Sequence, residues 1–158
     1  MKAPARTILL ICLVCAAALA AAGQRDDDAV ISKFIASQES YENGHEAKDY
    51  RTVLRGDLNH DGVPDAAVLY TLEGANGTNN YVRHLAVFLR TNGTLVPTAH
   101  AVVGGKNYRA IVMKAIQDNA ILCDTTDYAS NDPTCCPTIK GSTRYLLDGD
   151  KLKELPAK

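Results

Sequence analysis

Short runs of β-branched and aliphatic residues, interrupted by turn residues at close intervals, make up the chain from Tyr50 onward. Runs of this length and composition are typical of antiparallel strands. The connections are too short for crossover helices, so we predict a mainly β (α+β) fold, an antiparallel meander or barrel-like sheet of about seven or eight strands. The predicted strands are residues 50–56, 66–73, 81–90, 95–103, 108–117, 120–128, 142–148 and 151–155.

Turn residues between these runs indicate hairpins. Asn92-Gly93 and Asp148-Gly149 each lie between two predicted strands, and such pairs tolerate the positive φ angles that a type I′ turn requires. Asp118-Asn119 is a third candidate turn. Pro97 has no amide hydrogen, so we expect its strand to lie at an edge of the sheet or to be interrupted there.

One helix is predicted ahead of the strands, over about residues 27–40. Val30, Ile31, Phe34 and Ile35 recur at helical spacing and would form one apolar stripe. Aspartates at positions 26–28 favour the positive end of the helix dipole. We therefore expect an N-terminal helix that packs on the sheet through this stripe.

Residues 1–22 have the layout of a signal peptide. Lys2 and Arg6 precede an apolar run that ends at Ala22, after which the chain becomes polar. Cleavage after Ala20 and cleavage after Ala22 both fit the small residues that a signal peptidase reads. The run is shorter than the roughly 20 residues that span a bilayer. We expect a periplasmic or secreted protein whose residues 23–158 form one β-rich domain without a membrane span.

The charge of the mature chain argues against a nucleic-acid partner. The leader removes two of the 17 basic residues and none of the 18 acidic ones, which leaves a net charge of −3 with histidine neutral. Lysine and arginine are also scattered along the sequence rather than clustered. The partner that we expect instead is an envelope or extracellular protein, or a glycan.

Oxygen-bearing side chains recur at alternate positions in the segment GDLNHDGVPDAAVLY, residues 56–70. Alternate residues of a chain that winds around a hard cation point inward, glycine allows the sharp bend at position 6, and a backbone carbonyl contributes at position 7. Numbered from Asp57, the glycine is Gly62. The pattern predicts a Ca²⁺ site, against the alternative of a polar turn in which the same side chains cap backbone amides. The predicted ligands are Asp57, Asn59, Asp61, Asp65 and the carbonyl oxygen of Val63.

This segment resembles the D-x-[DN]-x-D-G-x-x-D loops of integrin-type (FG-GAP-like) β-propeller repeats, in which the loop precedes a strand and binds Ca²⁺. An EF-hand would carry glutamate at position 12, where this chain has Val68. The resemblance covers about fifteen residues and occurs once, whereas a propeller needs many copies. It implies the loop and its ligands, and it does not imply a propeller.

The mature chain keeps three cysteines, Cys123, Cys135 and Cys136. A bond from Cys123 to either of the other two would close a loop of about a dozen residues, and a vicinal Cys135–Cys136 disulfide is the alternative. The segment DPTCCP, residues 132–137, resembles a D-P-x-C-C-P pattern of small exported bacterial proteins of unknown function. That resemblance implies export and a β-rich fold.

No motif indicates a catalytic centre. The sequence lacks H-E-x-x-H, G-x-S-x-G and a phosphate-binding loop. We therefore expect a non-enzymatic, calcium-stabilised binding module. The alternatives are an inhibitor of an exogenous hydrolase such as lysozyme, and a hydrolase that unites carboxylates such as Glu73, Asp124 and Asp127. The glycine- and asparagine-rich segment 74–80 is either a recognition surface or a flexible hairpin connection.

Overall fold

The computed structural model describes residues 26–156, which form a helix and nine strands. The predicted signal peptide, residues 1–22, lies outside the described residues. Helix α1 covers residues 26–42, close to the prediction. The strands are β1 (His45–Glu46), β2 (Thr52–Gly56), β3 (Asp65–Glu73), β4 (Tyr81–Thr91), β5 (Thr94–Gly105), β6 (Arg109–Gln117), β7 (Ala120–Asp127), β8 (Ile139–Asp148) and β9 (Lys151–Pro156).

All nine strands belong to one open antiparallel sheet. From β3 to β9 each strand pairs with the next one along the chain, while β1 and β2 both pair with β3. The mainly β fold predicted from the sequence is confirmed, and each of the eight predicted runs contains a strand. The additional strand is β1, whose two residues are too few to give a sequence pattern.

The ladder is almost broken between β5 and β6. Only Gly105 and Arg109 pair across this junction, whereas β4 and β5 pair along most of their length. The sheet therefore consists of a first half-sheet, β1–β5, and a second half-sheet, β6–β9. Pro97 pairs with Phe88 on the β4 side and has no partner on the β6 side, while β5 continues unbroken through it. Of the two predictions for Pro97, the edge position is therefore the one that the strand shows, and the interruption is wrong.

The two half-sheets enclose an inner core. Alternate residues of β3 and β4, such as Leu69 and Leu85, pack in one cluster with Ile111, Ile121 and Tyr145 of the second half-sheet. β2 also contacts β6, and β9 contacts β5. Burial of both inner faces explains why the sheet folds back on itself, since apolar area removed from water supplies the main stabilisation.

Arg109 links the two half-sheets at the edge of this core. Its Nε donates to the carbonyl oxygen of Val103 in β5 at 2.7 Å. Its Nη1 and Nη2 donate to the two carboxylate oxygens of Glu154 in β9 at 2.7 and 2.9 Å, and Nη2 also donates to the hydroxyl of Tyr145. This guanidinium group thus donates to β5 of the first half-sheet and to β8 and β9 of the second half-sheet.

Helix α1 covers the outer face of the first half-sheet. Ile31 and Ile35 are fully buried against β3 and β4, while Val30 and Phe34 are partly buried beside them. These four residues are the predicted apolar stripe. Among the described residues no helix covers the outer face of the second half-sheet, and none is long and apolar enough to span a membrane.

Hairpin geometry follows the predicted turns with one shift. Asn92-Gly93 and Asp118-Asn119 occupy the two central positions of their turns, and all four residues have positive φ. In the last hairpin, Asp148 still pairs with Lys151, so Gly149 is the first central residue. The sequence prediction was one residue early because Asp148 can continue the strand as well as begin the turn.

A buried ion pair fastens α1 to the sheet. Asp27 is buried, and its carboxylate accepts hydrogen bonds from Nη1 and Nη2 of Arg90 in β4 at 3.0 and 2.7 Å. Nη2 of Arg55 in β2 lies 3.2 Å from the same carboxylate. Loss of one member of such a group is costly because the remaining charges stay poorly solvated.

We expect Asp27→Asn to lower the free energy of unfolding by about 3 kcal/mol, since two arginines would lose their shared carboxylate. Urea denaturation followed by circular dichroism measures this loss. Asp26→Asn is the matched control, because Asp26 is exposed one residue earlier in the same helix. Equal effects of the two changes would show that the ion pair does not hold the helix.

Candidate functional site

The 57–65 loop, which connects β2 to β3, is shaped by its own side chains. The backbone amides of Asn59 and His60 donate to Oδ1 of Asp57 at 3.2 and 2.7 Å, and the amide of Gly62 donates to Oδ2 at 2.9 Å. Left-handed conformations at His60 and Gly62, with φ of 67° and 78°, allow this tight turn. The Asp57 carboxylate therefore lies on the inner side of the loop.

Asn59 and Asp61 also turn their side chains toward the loop. The amide of Asp61 donates to Oδ1 of Asn59 at 3.1 Å, and the amide of Val63 donates to Oδ1 of Asp61 at 2.7 Å. The side-chain amide of Asn59 donates to Oδ2 of Asp61 at 2.9 Å. The structure thus brings together three of the predicted ligand side chains, at positions 57, 59 and 61.

Asp65 occupies a different environment from these three residues. It is 0% exposed, its Oδ2 accepts from the amide of Leu58 at 2.9 Å, and its Oδ1 accepts from the amide of Arg90 in β4 at 2.8 Å. Buried carboxylates are tolerated when hydrogen bonds replace their water. Asp65 therefore attaches the loop to the neighbouring strand, a role that the sequence did not reveal.

A second attachment reaches the other half-sheet. The side-chain amide of Asn119, in the turn between β6 and β7, donates to the carbonyl oxygen of Asp57 at 2.9 Å. Close packing supports this contact, because a Cβ atom added at Gly56 would lie 2.8 Å from the Ile116 side chain of β6. The 57–65 loop consequently contacts both half-sheets.

The donor set of the 57–65 loop suits a hard cation. Carboxylate and carbonyl oxygens have more than one lone pair, so an oxygen that accepts from an amide can still bind an ion. Desolvation raises the pKa of Asp57, but hydrogen bonds from the loop amides outweigh it and hold the pKa below its ordinary value. The carboxylate is therefore ionised at neutral pH, as a cation ligand must be.

Within residues 26–156, no group of three or more histidine, cysteine, aspartate or glutamate side chains is arranged to hold a metal ion. The set predicted for the loop is of a mixed kind, since it includes the amide oxygen of Asn59 and the carbonyl oxygen of Val63. Asp65 would have to bind an ion with oxygens that already accept from two amides. The calcium site therefore stays a prediction.

A hydrogen-bonded cluster of aromatic side chains lies where α1 meets the sheet. Nδ1 of His84 lies 3.0 Å from Nε2 of His100, and the Tyr70 hydroxyl lies 2.9 Å from the same Nε2. Phe34 of α1 packs edge-on against the His100 ring. The histidines look dispersed in the sequence, but a hairpin that turns at Asn92-Gly93 brings positions 84 and 100 together. The hairpin register is the signal that could have predicted the cluster.

Burial determines the charge of this cluster. His84 is 0% exposed, and its Nε2 lies 3.4 Å from Oε1 of Glu42 at the end of α1. Burial, reinforced by the nearby His100, lowers the pKa of His84 to about 4. Burial also lowers the pKa of His100 and raises that of Glu42. At neutral pH both imidazoles are therefore neutral, and hydrogen bonds rather than ion pairs hold the cluster together.

The cysteines pair in the vicinal arrangement. Cys135 and Cys136 are bonded to each other, and Cys123 is a free thiol. The first expectation, a bond from Cys123 to one of them, is wrong and the vicinal alternative is the observed one. Cys123 lies on the inner face of β7 within the core, whereas the vicinal pair lies in the loop before β8. Burial raises the pKa of the Cys123 thiol to about 12, although nearby Arg109 lowers it.

The carboxylates considered for a hydrolase do not form one site. Asp124 Oδ2 lies 3.3 Å from Nζ of Lys114, and Glu73 Oε2 lies 3.9 Å from Nε2 of His45. Asp127 accepts from the Thr125 hydroxyl at 3.5 Å. In the part of the chain that the structure describes, none of the three is hydrogen-bonded to another.

Two of the concave surfaces in the described part of the chain adjoin features that the sequence or the fold singles out. The 74–80 segment, which includes a short 3₁₀ helix, borders a depression of about 380 Å³ with His45, Glu73 and Tyr81. A second cleft, of about 430 Å³, lies on the uncovered outer face of the second half-sheet. The residues that line this outer cleft include Lys114, Asp118, Leu122, Asp124, Ser142 and Arg144.

Comparison of the chain with protein-family models, with curated proteins and with solved structures gives no match.

We expect the protein to lose stability as the pH falls from 6.5 to 4, because unfolded His84 binds a proton in this range and folded His84 does not. A pKa of about 4 against an ordinary 6.5 corresponds to a loss of about 3 kcal/mol in the free energy of unfolding. The raised pKa of Glu42 acts in the opposite sense, since protonation of this carboxyl favours the fold near the lower end of the range. Urea denaturation at pH 7, 6, 5 and 4 measures the slope.

His84→Asn should flatten this pH dependence, because the asparagine amide can occupy the position of Nδ1 without titrating. His60→Asn, at an exposed histidine whose left-handed conformation asparagine accepts, should keep the parental slope. A parental slope in His84→Asn would contradict the assignment.

A protein that begins at residue 23, without the predicted signal peptide, should not react with Ellman's reagent in the native state and should release one equivalent of thiol in guanidinium chloride. The reason is that Cys123 is 2% exposed and the other two cysteines are bonded. Cys123→Ala should show no thiol in either state. Rapid reaction of the native protein would contradict the buried position of this thiol.

Proposed function

We propose that this protein is an exported, non-enzymatic β-domain in which the 57–65 loop binds Ca²⁺ as a structural ion, and that it functions as a binding module. The observation that carries the proposal is the inward orientation of the side-chain oxygens at positions 57, 59 and 61, in the alternating order that Ca²⁺ loops use. A bound ion would neutralise carboxylates that lie within one turn.

The position of the loop gives the ion a structural effect. Asp65 bonds to the amide of Arg90 in the first half-sheet, and Asn119 bonds from the second half-sheet to the carbonyl oxygen of Asp57. An ion that fixes the loop therefore stabilises the contact between the half-sheets. At a Ca²⁺ concentration about ten times Kd, binding to the folded state alone adds about 1.4 kcal/mol to the free energy of unfolding.

A binding role fits the distribution of polar groups better than catalysis does. The hydrogen-bonded histidines lie beneath α1, and the candidate carboxylates have separate partners. The rigid sheet instead offers an outer face that α1 leaves uncovered, with a cleft of about 430 Å³. Preformed concave surfaces of this size are the usual places for ligands.

Isothermal titration of the EDTA-treated mature protein with Ca²⁺ tests the calcium site. We expect Kd between about 10 µM and 1 mM, a range open to loops without an acid at position 12 in a calcium-rich medium. The melting temperature should rise with Ca²⁺.

Asp61→Ala should abolish both effects, because it removes an exposed carboxylate that bonds only within the loop. Asp49→Ala, which removes an exposed carboxylate from the short helix at residues 48–50, should bind Ca²⁺ like the parent. If Asp61→Ala also binds like the parent, the ligand assignment is wrong.

A further inference from the structure

The fold gathers basic residues that are scattered in the sequence onto one surface. On β7 and β8, Cys123 and Tyr145 face the inner core, so the residues between these inner positions face outward. The register then places the following side chains on the same outer face, which we call the basic face: Lys114, Lys140, Arg144, Lys151 and Lys153. The strands of this face contribute two carboxylates, Asp124 and Asp148.

Arg144 is the central group of the basic face. It lines the outer cleft, and its half-buried side chain has no hydrogen-bond or ion-pair partner among residues 26–156. Its Nε is fully shielded from solvent in this unpartnered state. Its terminal nitrogens, Nη1 and Nη2, also lack a protein partner but are not shielded in this way, so a ligand in the open cleft can reach this end of the guanidinium. The planar fork of arginine matches a carboxylate, with two parallel hydrogen bonds.

The other residues of the cleft indicate which kind of ligand would present a carboxylate to Arg144. Asp124 pairs in register with Ser142, next to Leu122 and Arg144, and its carboxylate bonds only to Lys114 at 3.3 Å. It can therefore accept hydrogen bonds from a ligand hydroxyl, while Arg144 binds a ligand carboxylate. A ligand with both hydroxyl and carboxylate groups on one small ring has the chemistry of a uronic acid.

Positive charge continues beyond the cleft along β8 and β9. Lys140 lies four residues from Arg144, about 13 Å along the same strand, and Lys153 pairs with Leu146 on the opposite side of Arg144. Neither lysine has a carboxylate within ion-pair distance in the described part of the chain. A ligand that uses all three cations carries carboxylates at repeated intervals, as a polymer does.

We propose that the basic face binds an acidic polysaccharide of the polyuronate class, with one uronate carboxylate on Arg144 and further carboxylates on Lys140 and Lys153. No aromatic side chain lies at the outward positions of β6–β9, so the face lacks the stacking platform that single-stranded nucleic acids use. This inference rests on the proposed binding function and names its ligand.

Titration of the mature protein with trigalacturonate in low-salt buffer containing EDTA tests the proposal, since EDTA keeps Ca²⁺ from bridging the oligosaccharide to the 57–65 loop. We expect Kd between about 10 µM and 1 mM, weakening as salt screens the charges. Neutral galactotriose should not bind. Arg144→Gln should weaken binding at least tenfold, and Lys153→Gln about threefold.

Lys33→Gln removes one positive charge from the exposed side of α1 and should leave the affinity unchanged. Thermal unfolding verifies that each variant is folded, and Lys140→Gln replaces Arg144→Gln if the latter does not fold. The proposal is overturned if trigalacturonate does not bind at 10 mM. It is also overturned if poly-glutamate or dextran sulfate binds as well as polygalacturonate and Arg144→Gln has no effect, since that result indicates ion exchange only.

Failure of this proposal can be distinguished from failure of the calcium site. Asp61→Ala should keep trigalacturonate binding in EDTA, and Arg144→Gln should keep the calcium titration of the parent. A variant that loses Ca²⁺ binding can therefore still be tested for polyuronate binding, and a variant that loses polyuronate binding can still be tested for Ca²⁺ binding.

Discussion

The bonds of Arg109 hold the two half-sheets together at the point where the ladder fails. Gly105 and Arg109 are the only pair that joins β5 to β6, and an added Cβ at Gly104 would lie 2.8 Å from the Arg109 carbonyl oxygen. Because Gly104 has no side chain, the backbone at Arg109 can lie against it where the chain passes from the first half-sheet to the second. The guanidinium donates hydrogen bonds to the carbonyl oxygen of Val103 in β5 and to the carboxylate of Glu154 in β9. Arg109 therefore lies where strand pairing between β5 and β6 ends, and its side chain joins the two half-sheets at the same place. These bonds add to the apolar contacts of the inner core and to the contacts of β2 with β6 and of β5 with β9.

Three polar groups in the interior each have backbone or side-chain partners. Asp65 meets two backbone amides, Asp27 meets two arginines, and His84 meets a second histidine. Each of these groups connects elements that are distant in the sequence. Because unsatisfied buried groups are costly, such connections favour one register of helix and strands over others. They also fix the ends of β3 and β4, from which the 57–65 loop and the 74–80 segment extend.

The sequence predicted the strands well because their signals are local. Alternating apolar residues and turn residues act within a few positions, so eight strands, the helix and all three turns were placed within a few residues, the last turn one residue early. The inward orientation of Asp57, Asn59 and Asp61 likewise follows from local spacing.

Features that depend on strands meeting in space were missed. The fold-back at Gly105, the bond between Asp65 and the amide of Arg90, and the pairing of His84 with His100 require the register of a folded sheet. The basic face is the clearest case. Its cations are spread over about forty residues and meet only because every second residue of four adjacent strands shares one side.

The lysines of β9 have a further consequence. β9 is the last strand of an open sheet, and such a strand exposes unpaired backbone groups to which another chain can add. Lys151 and Lys153 occupy alternate positions of β9. Charged side chains on an edge strand oppose the approach of a second sheet. Neutral β-branched residues at these positions would suit the fold of the monomer equally well, but they would leave a template for aggregation.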